Sequence, residues 1–326
     1  MMKKLWIISL SVLALGLIIS IAVLAVYGFN LRKMSKTASV SEEYTVSESF
    51  TDIVIEEFAG FHDVTINKSQ TENTEIKLTS DEKIKFSYEV KNGKLTLTLA
   101  DERVFFEKFF DFTDAKLTVS LPEAQYGNIE IDTASGDVRI SGIKAERANI
   151  DTASGDVFFR TSELSALEVS TASGEVTLDA LKISGNTAIN TASGDIEISG
   201  LNIIGKTAIS TVSGETDIEN SLFGYANLES GSGDISLGRV TLSGKLVLES
   251  VSGDVEFSRL DASEIYIDTT SGDVDGTLVR AMNFKVDSTS GTVRTPSSDH
   301  NGGICEINTT SGDIEISLAR NFDDDD

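Results

Sequence analysis

Between Thr133 and Asp313 the chain alternates apolar and polar residues in short runs, and the runs recur in phase. Ten segments of the form (Thr/Ser)-x-Ser-Gly place their glycine at 136, 155, 174, 194, 214, 233, 253, 272, 291 and 312, with 19 to 21 residues between successive copies. Five residues before the glycine stands an aliphatic residue in every copy: Ile131, Ile150, Val169, Ile189, Ile209, Leu228, Leu248, Ile267, Val286 and Ile307. Two residues after it come Val138, Val157, Val176, Ile196, Thr216, Ile235, Val255, Val274, Val293 and Ile314, and two further on Ile140, Phe159, Leu178, Ile198, Ile218, Leu237, Phe257, Gly276, Thr295 and Ile316. A spacing of two on β-branched residues is strand periodicity. Each repeat is therefore expected to run strand, sharp corner at Ser-Gly-Asp, second strand, and a looser return that absorbs the differences in length. Glycine at the corner is expected to supply a positive φ, with the neighbouring Asp or Ser bonding the turn amides.

A unit of this size cannot bury its apolar face alone, and stacking onto its neighbours supplies the missing core. The expected fold is all-β: a single-stranded, right-handed parallel β-solenoid of about 20-residue rungs, preceded by an N-terminal transmembrane helix. The hand follows from the strong preference of parallel crossovers. Ten rungs at about 4.8 Å each make a rod roughly 45 Å long. A sandwich of antiparallel hairpins is the rival arrangement, but it would not require the same corner residues at the same phase in every copy.

The repeat divides the chain. Residues 1–33 read as the anchor, 34–50 as a Ser-, Thr- and Glu-rich tether, 50–130 as a β-rich cap of degenerate rungs, 131–318 as the solenoid, and 319–326 as an acidic tail ending in Asp323–Asp326. A separate small β domain over 50–130 is the alternative. Within the cap, Asn92-Gly93 between Val90 and Leu95 signals a hairpin. Phe105, Phe106, Phe109, Phe110 and Phe112 crowd one short stretch. That stretch reads either as a helix or loop closing the open end of the stack, or as an exposed aromatic patch for a membrane or protein partner.

Charge narrows the partners. Residues 1–36 hold five basic side chains and no acid around an apolar run from Leu5 to Phe29, long enough to span a bilayer. An uncleaved signal anchor fits this better than a cleaved signal, whose apolar core is shorter. The expected location is the cell membrane, single-pass, with the solenoid outside. The remainder carries 22 basic and 52 acidic side chains, a net of −30. Such a surface argues against nucleic acid, which is bound by neutralising phosphates. Solubility, cationic peptides or divalent ions are the readings left open.

Candidate chemistry is sparse. After the corner glycine Asp137, Asp156, Glu175, Asp195, Glu215, Asp234, Asp254, Asp273 and Asp313 form an acidic ladder interrupted by Thr292. Like charges about 4.8 Å apart repel by roughly 0.9 kcal/mol per pair even in water, so the ladder needs compensation. Hydrogen bonds to turn amides or a row of cations would provide it, although one carboxylate per rung is poor coordination for calcium. No metal site is assigned. His62 and His300 sit in no catalytic motif, and Cys305 reads as a small core residue. No nucleophile or cofactor motif is present, so the chain is expected to be no enzyme and to hold no cofactor.

The T-A-S-G-D-V and T-T-S-G-D-I corners, preceded by Leu117, Val119 and the Leu121-Pro122-Glu123 step before Ile129-Glu130-Ile131, resemble those of the bacterial domain-of-unknown-function family labelled "putative adhesin". An anchor followed by this domain resembles, more narrowly, the membrane-anchored member of the lia envelope-stress system of Gram-positive bacteria. The resemblance implies a non-catalytic envelope protein exposed outside the membrane and tied to the response to wall-active peptides. Its expected partners are the membrane, through the N-terminal helix, and an envelope protein, glycan or cationic peptide.

Overall fold

The structure, a computed structural model, describes residues 39–58, 62–81, 83–101 and 115–319. All of its regular elements are strands. The expected anchor at 1–33, the Phe105–Phe112 stretch and the Asp323–Asp326 tail lie outside the described residues. Ser39–Val46, part of the expected tether, is instead a strand paired antiparallel with Thr74–Asp81, because Val46 drops into the core.

Two sheets, of 14 and 15 strands, face one another around a single apolar core. Each repeat gives one strand to each sheet, and like residues lie opposite like residues. In one sheet Ile131, Ile150 and Val169 are in register, and in the other Val138, Val157 and Val176. These inward columns are fully buried while the residues between them face solvent. The chain is thus a parallel β-solenoid of about ten turns. Where the column holds no side chain at Gly276, the Phe257 ring of the rung below fills the space, 2.1 Å from where a Cβ would stand.

The corner glycine has a different cause from the one expected. None of the ten corner glycines has a positive φ. A Cβ on Gly155 would meet the carbonyl oxygen of Gly136 at 1.9 Å, one on Gly174 that of Gly155 at 1.8 Å, and the clash repeats up the stack. Glycine is required there because successive corners touch backbone to backbone. The positive φ appears at the second corner, six residues on. Gly142, Thr161, Ala180, Gly200, Asn220, Arg239 and Arg259 all lie in the left-handed region, with φ from 50° to 71°. Only two of those seven are glycine.

The stack does not follow chain order at its ends. The rung carrying Gly312 (Ile304–Thr309 and Ile314–Leu318) pairs directly with the Gly272 rung, and the Gly291 rung (Asn283–Ser288 and Val293–Arg294) lies outside it. The chain steps over one level, turns, and fills the gap on its return through residues 295–303. That loop borders the outermost strand: Ser298 Oγ accepts the Phe284 N–H at 3.0 Å, and Asp299 N–H donates to the Met282 carbonyl at 2.9 Å. It covers part of an otherwise open sheet edge. The N-terminus repeats the device. Asp52–Phe58 and His62–Lys68 pair with the Gly136 rung, although Lys94–Asp101 and Ala115–Leu121 stand nearer to it in sequence and lie one level further out. Beyond these, strands 74–81, 39–46 and 84–91 run antiparallel. Asn92 and Gly93, both at positive φ, turn the hairpin between Ile84–Lys91 and Lys94–Asp101, as their sequence predicts.

Candidate functional site

The corner edge of the rod concentrates the repeated polar residues. Three residues before the corner glycines from Gly155 to Gly272, a buried Thr or Ser turns its hydroxyl onto the glycine amide. Thr152 Oγ1 accepts from Gly155 N–H at 3.0 Å, Thr171 from Gly174 at 3.0 Å, and Ser230 from Gly233 at 3.0 Å. These amides are buried, so the hydroxyl removes a cost of about 1–3 kcal/mol for each one.

The acidic ladder is assembled by the stack into one column, and its carboxylates bond upward. Asp137 Oδ1 accepts the N–H of Asp156 at 3.1 Å, Asp156 that of Glu175 at 2.9 Å, and Asp195 that of Glu215 at 2.8 Å. Asp234 does so to Asp254, and Asp254 to Asp273, both at 2.8 Å. The acceptor thus serves the next rung's amide, where a local turn amide was expected. The swapped end keeps the rule: Asp273 accepts from Asp313 at 2.7 Å, and Asp313 from Thr292 at 2.6 Å, so Thr292 closes the ladder as a donor. Glutamate is one methylene longer, and Glu175 Oε1 takes the Thr177 hydroxyl at 2.9 Å instead. Among the described residues no group of three or more His, Cys, Asp or Glu is placed to hold a metal.

Beside the ladder runs a trough that sequence reasoning did not single out. Asp151, Thr152, Ala153, Thr171, Ala172, Asn190, Thr191, Ala192 and Ser210 line a stretch of about 630 Å³. Ser210, Glu229, Gly231, Glu249, Val251 and Asp268 line a second of about 500 Å³. Ser210 belongs to both, so the two are continuous along the axis. One wall is the column four residues before the corner glycine; the other is the column two residues before it, where Ala153, Ala172, Ala192, Val212 and Val251 are exposed. Both columns stand in the repeat: the first is polar and in part acidic, with Asp151, Glu229, Glu249 and Asp268, and the second holds mostly small residues.

On the face of the second sheet, charge accumulates toward the C-terminal end. Burial together with Glu315, Asp273, Glu256 and Asp254 raises the Asp275 pKa above its ordinary value. At the other end of the ladder cations intervene: Arg139 pairs with Asp137 at 2.8 Å, and Lys116 approaches Asp63 at 3.7 Å. Cys305 is fully buried between Ile265 and Phe284, and burial pushes its thiol up to about 12. It is core packing, with no access for a nucleophile's work. Of the expected partner patch, Phe105, Phe106, Phe109, Phe110 and Phe112, every residue lies outside the described residues.

The family model described as Toastrack DUF4097 matches residues 50–255 and 240–320. Among solved structures, a "putative adhesin" from Parabacteroides merdae shares 15% identity at a TM-score of 0.51, covering 74% of this chain and 97% of its own. A "putative adhesin" from Parabacteroides distasonis shares 11% identity at a TM-score of 0.44, covering 86% and 98%. No curated protein matches the chain. The first structure shows a shared fold.

Proposed function

The chain belongs to the Toastrack DUF4097 family, and from that premise we propose that it is a non-catalytic interaction module of the cell envelope, adhesin-like in its mode of work. Residues 1–33 anchor it in the membrane and the solenoid stands outside. An extended partner, a glycan strand or a protein segment, lies along the axial trough. The observation that carries this reading is the continuity of the trough across the level of Ser210: a repeating surface suits a repeating or extended ligand, and a single small molecule would use one stretch of it. The resemblance to the envelope-stress member gives the context, a response to wall-active peptides.

The test is binding of the full chain to isolated envelope material. Ala192→Arg fills the trough at an exposed position and is expected to abolish binding without loss of stability. Unchanged binding would refute the trough as the contact surface. Proteolysis of intact cells tests the topology separately, since digestion of the solenoid requires it to be outside.

The crowding of Glu256, Asp254, Asp273 and Glu315 around Asp275 favours one second reading, an acidic sensor or decoy for cationic peptides. Its binding falls steeply between low and high salt, whereas contact of an uncharged strand with the trough does not.

A further inference from the structure

We propose that the N-terminal end of the rod is a bilayer-seated cap, with an aromatic layer at the headgroup level and lysines against anionic lipid. The proposal rests on the reading of residues 1–33 as an anchor, and it assigns a surface that the anchor alone does not require.

The end is built from two edge strands, Ser39–Val46 in one sheet and Ile84–Lys91 in the other. Tyr44 comes from the first, opposite Ile76, and Phe86 and Tyr88 from the second, opposite Leu99 and Leu97. Their partners are fully buried, so all three rings point along the core. They meet across the sheets, with centroids 5.2 Å apart for Tyr44–Phe86, 5.7 Å for Tyr44–Tyr88 and 6.3 Å for Phe86–Tyr88. This is the last layer of the core, and it remains partly wet, with Tyr88 36% exposed. Tyr44 and Tyr88, with an apolar body and a polar tip, are of the kind that settles at membrane interfaces, and Phe86 adds apolar area.

Charge on the Ile84–Lys91 edge departs from the rest of the chain. Residues 83–94 hold four lysines and one acid, Glu89, in a protein of net charge −25. Lys85, Lys91 and Lys94 are exposed. On the facing strand Glu43 pairs with Lys77 at 3.0 Å, and Glu42, still charged, accepts the Tyr44 hydroxyl. Lysines on an edge strand also discourage strand pairing, but that role does not call for half-exposed rings beside them.

Chain length limits the position. Nine residues separate the apolar run ending at Phe29 from Ser39, a reach of at most about 32 Å when fully extended. The described residues stack in 14 levels in one sheet and 13 in the other, which at about 4.8 Å per level give a rod of roughly 60 Å. The tether is shorter than the rod and enters at the strand that carries Tyr44, so this end, and not the opposite one, stays within about 32 Å of the bilayer. The opposite end and the trough are free to point away.

The test uses the full chain reconstituted into vesicles of phosphatidylcholine with phosphatidylglycerol. A fluorophore is placed by Tyr88→Cys or, as a control, by Val212→Cys, and quenched with spin-labelled lipid; the buried Cys305 stays unlabelled. Quenching at position 88 is expected to exceed that at 212 by about threefold or more, and to fall toward the control when Lys85, Lys91 and Lys94 are changed to Glu or anionic lipid is omitted. In the unsubstituted chain, amide exchange at 84–91 is expected to slow in lipid relative to detergent. Equal, weak quenching at both sites in a chain that co-floats with vesicles would overturn the proposal and leave the anchor standing. Protection at 88 already present in detergent would overturn it in favour of residues 102–114 or a second copy. Failure to co-float would overturn the anchor and the proposal together.

Discussion

A Cβ placed on Gly174 would stand 1.8 Å from the carbonyl oxygen of Gly155. Because the obstacle is backbone in the neighbouring rung, no rotamer change relieves it, and the rungs must separate. Gly174→Ala is expected to lower stability by about 3 kcal/mol, at the upper end of overpacking costs. Gly200→Ala, where the nearest atom lies 3.7 Å away and only the positive φ is unfavourable, should cost about 1–2 kcal/mol. Urea midpoints of the two variants decide it, and equal losses would show that corner contact is not the cause.

The second corner makes the converse prediction. Thr161 is β-branched and sits at φ 50°, where such residues are strained. Thr161→Gly keeps the backbone bond from its N–H to the Asp179 carbonyl and should raise stability by about 1 kcal/mol. A lower melting temperature would contradict this.

The Thr171 hydroxyl accepts the buried Gly174 N–H. Thr171→Val keeps the shape and strands the amide, with an expected loss of about 1–3 kcal/mol. Thr171→Ser should be close to neutral, since Ser230 and Ser250 do the same work in their own rungs. Equal losses in both would point to the methyl group instead.

The aliphatic columns, the two strands per rung and the Asn92-Gly93 hairpin were legible because apolar alternation and turn chemistry are local signals. The corner glycine was legible as a position but not as a cause, since a single sequence cannot distinguish a strained φ from a close contact. The second corner was hidden because Thr161, Ala180, Arg239 and Arg259 share no chemistry; the tertiary stack imposes the conformation on them. Rung order at the ends was hidden too. The corners at Gly291 and Gly312 are alike, and the only trace of the crossover is the 21-residue spacing with Pro296, Gly302 and Gly303 in the return loop. The trough was missed because one wall is a column of small residues that signal no chemistry by type and the other, four residues before the glycine, mixes Ser and Asn with acids.

Asp275 carries a pH dependence whose sign is set by its raised pKa. Its charged form is disfavoured in the fold, first by burial and then by Glu315, Asp273, Glu256 and Asp254. The stability associated with this group is therefore whole below the ordinary carboxylate range and is lost as pH rises through the folded value. Asp275→Asn should be more stable than the unsubstituted protein at pH 7 and equal to it in acid. Salt should narrow the gap at pH 7 by screening the four neighbours, leaving the burial component. Denaturant midpoints across pH test it, and a gap that widens in acid would reverse the sign.

The fold's defining feature is parallel rungs in register, with the Gly312 rung seated between those of Gly272 and Gly291. Thr270, Thr289 and Thr310 are exposed at equivalent positions, two residues before those glycines, so cysteine pairs placed there report the order of levels by disulfide formation. Adjacent levels, about 4.8 Å apart, permit the bond, and a two-level gap of about 9.6 Å does not. Thr270→Cys with Thr310→Cys is expected to cross-link under mild oxidation, while Thr270→Cys with Thr289→Cys is not. Cross-linking of 270 to 289 in place of 270 to 310 would contradict it.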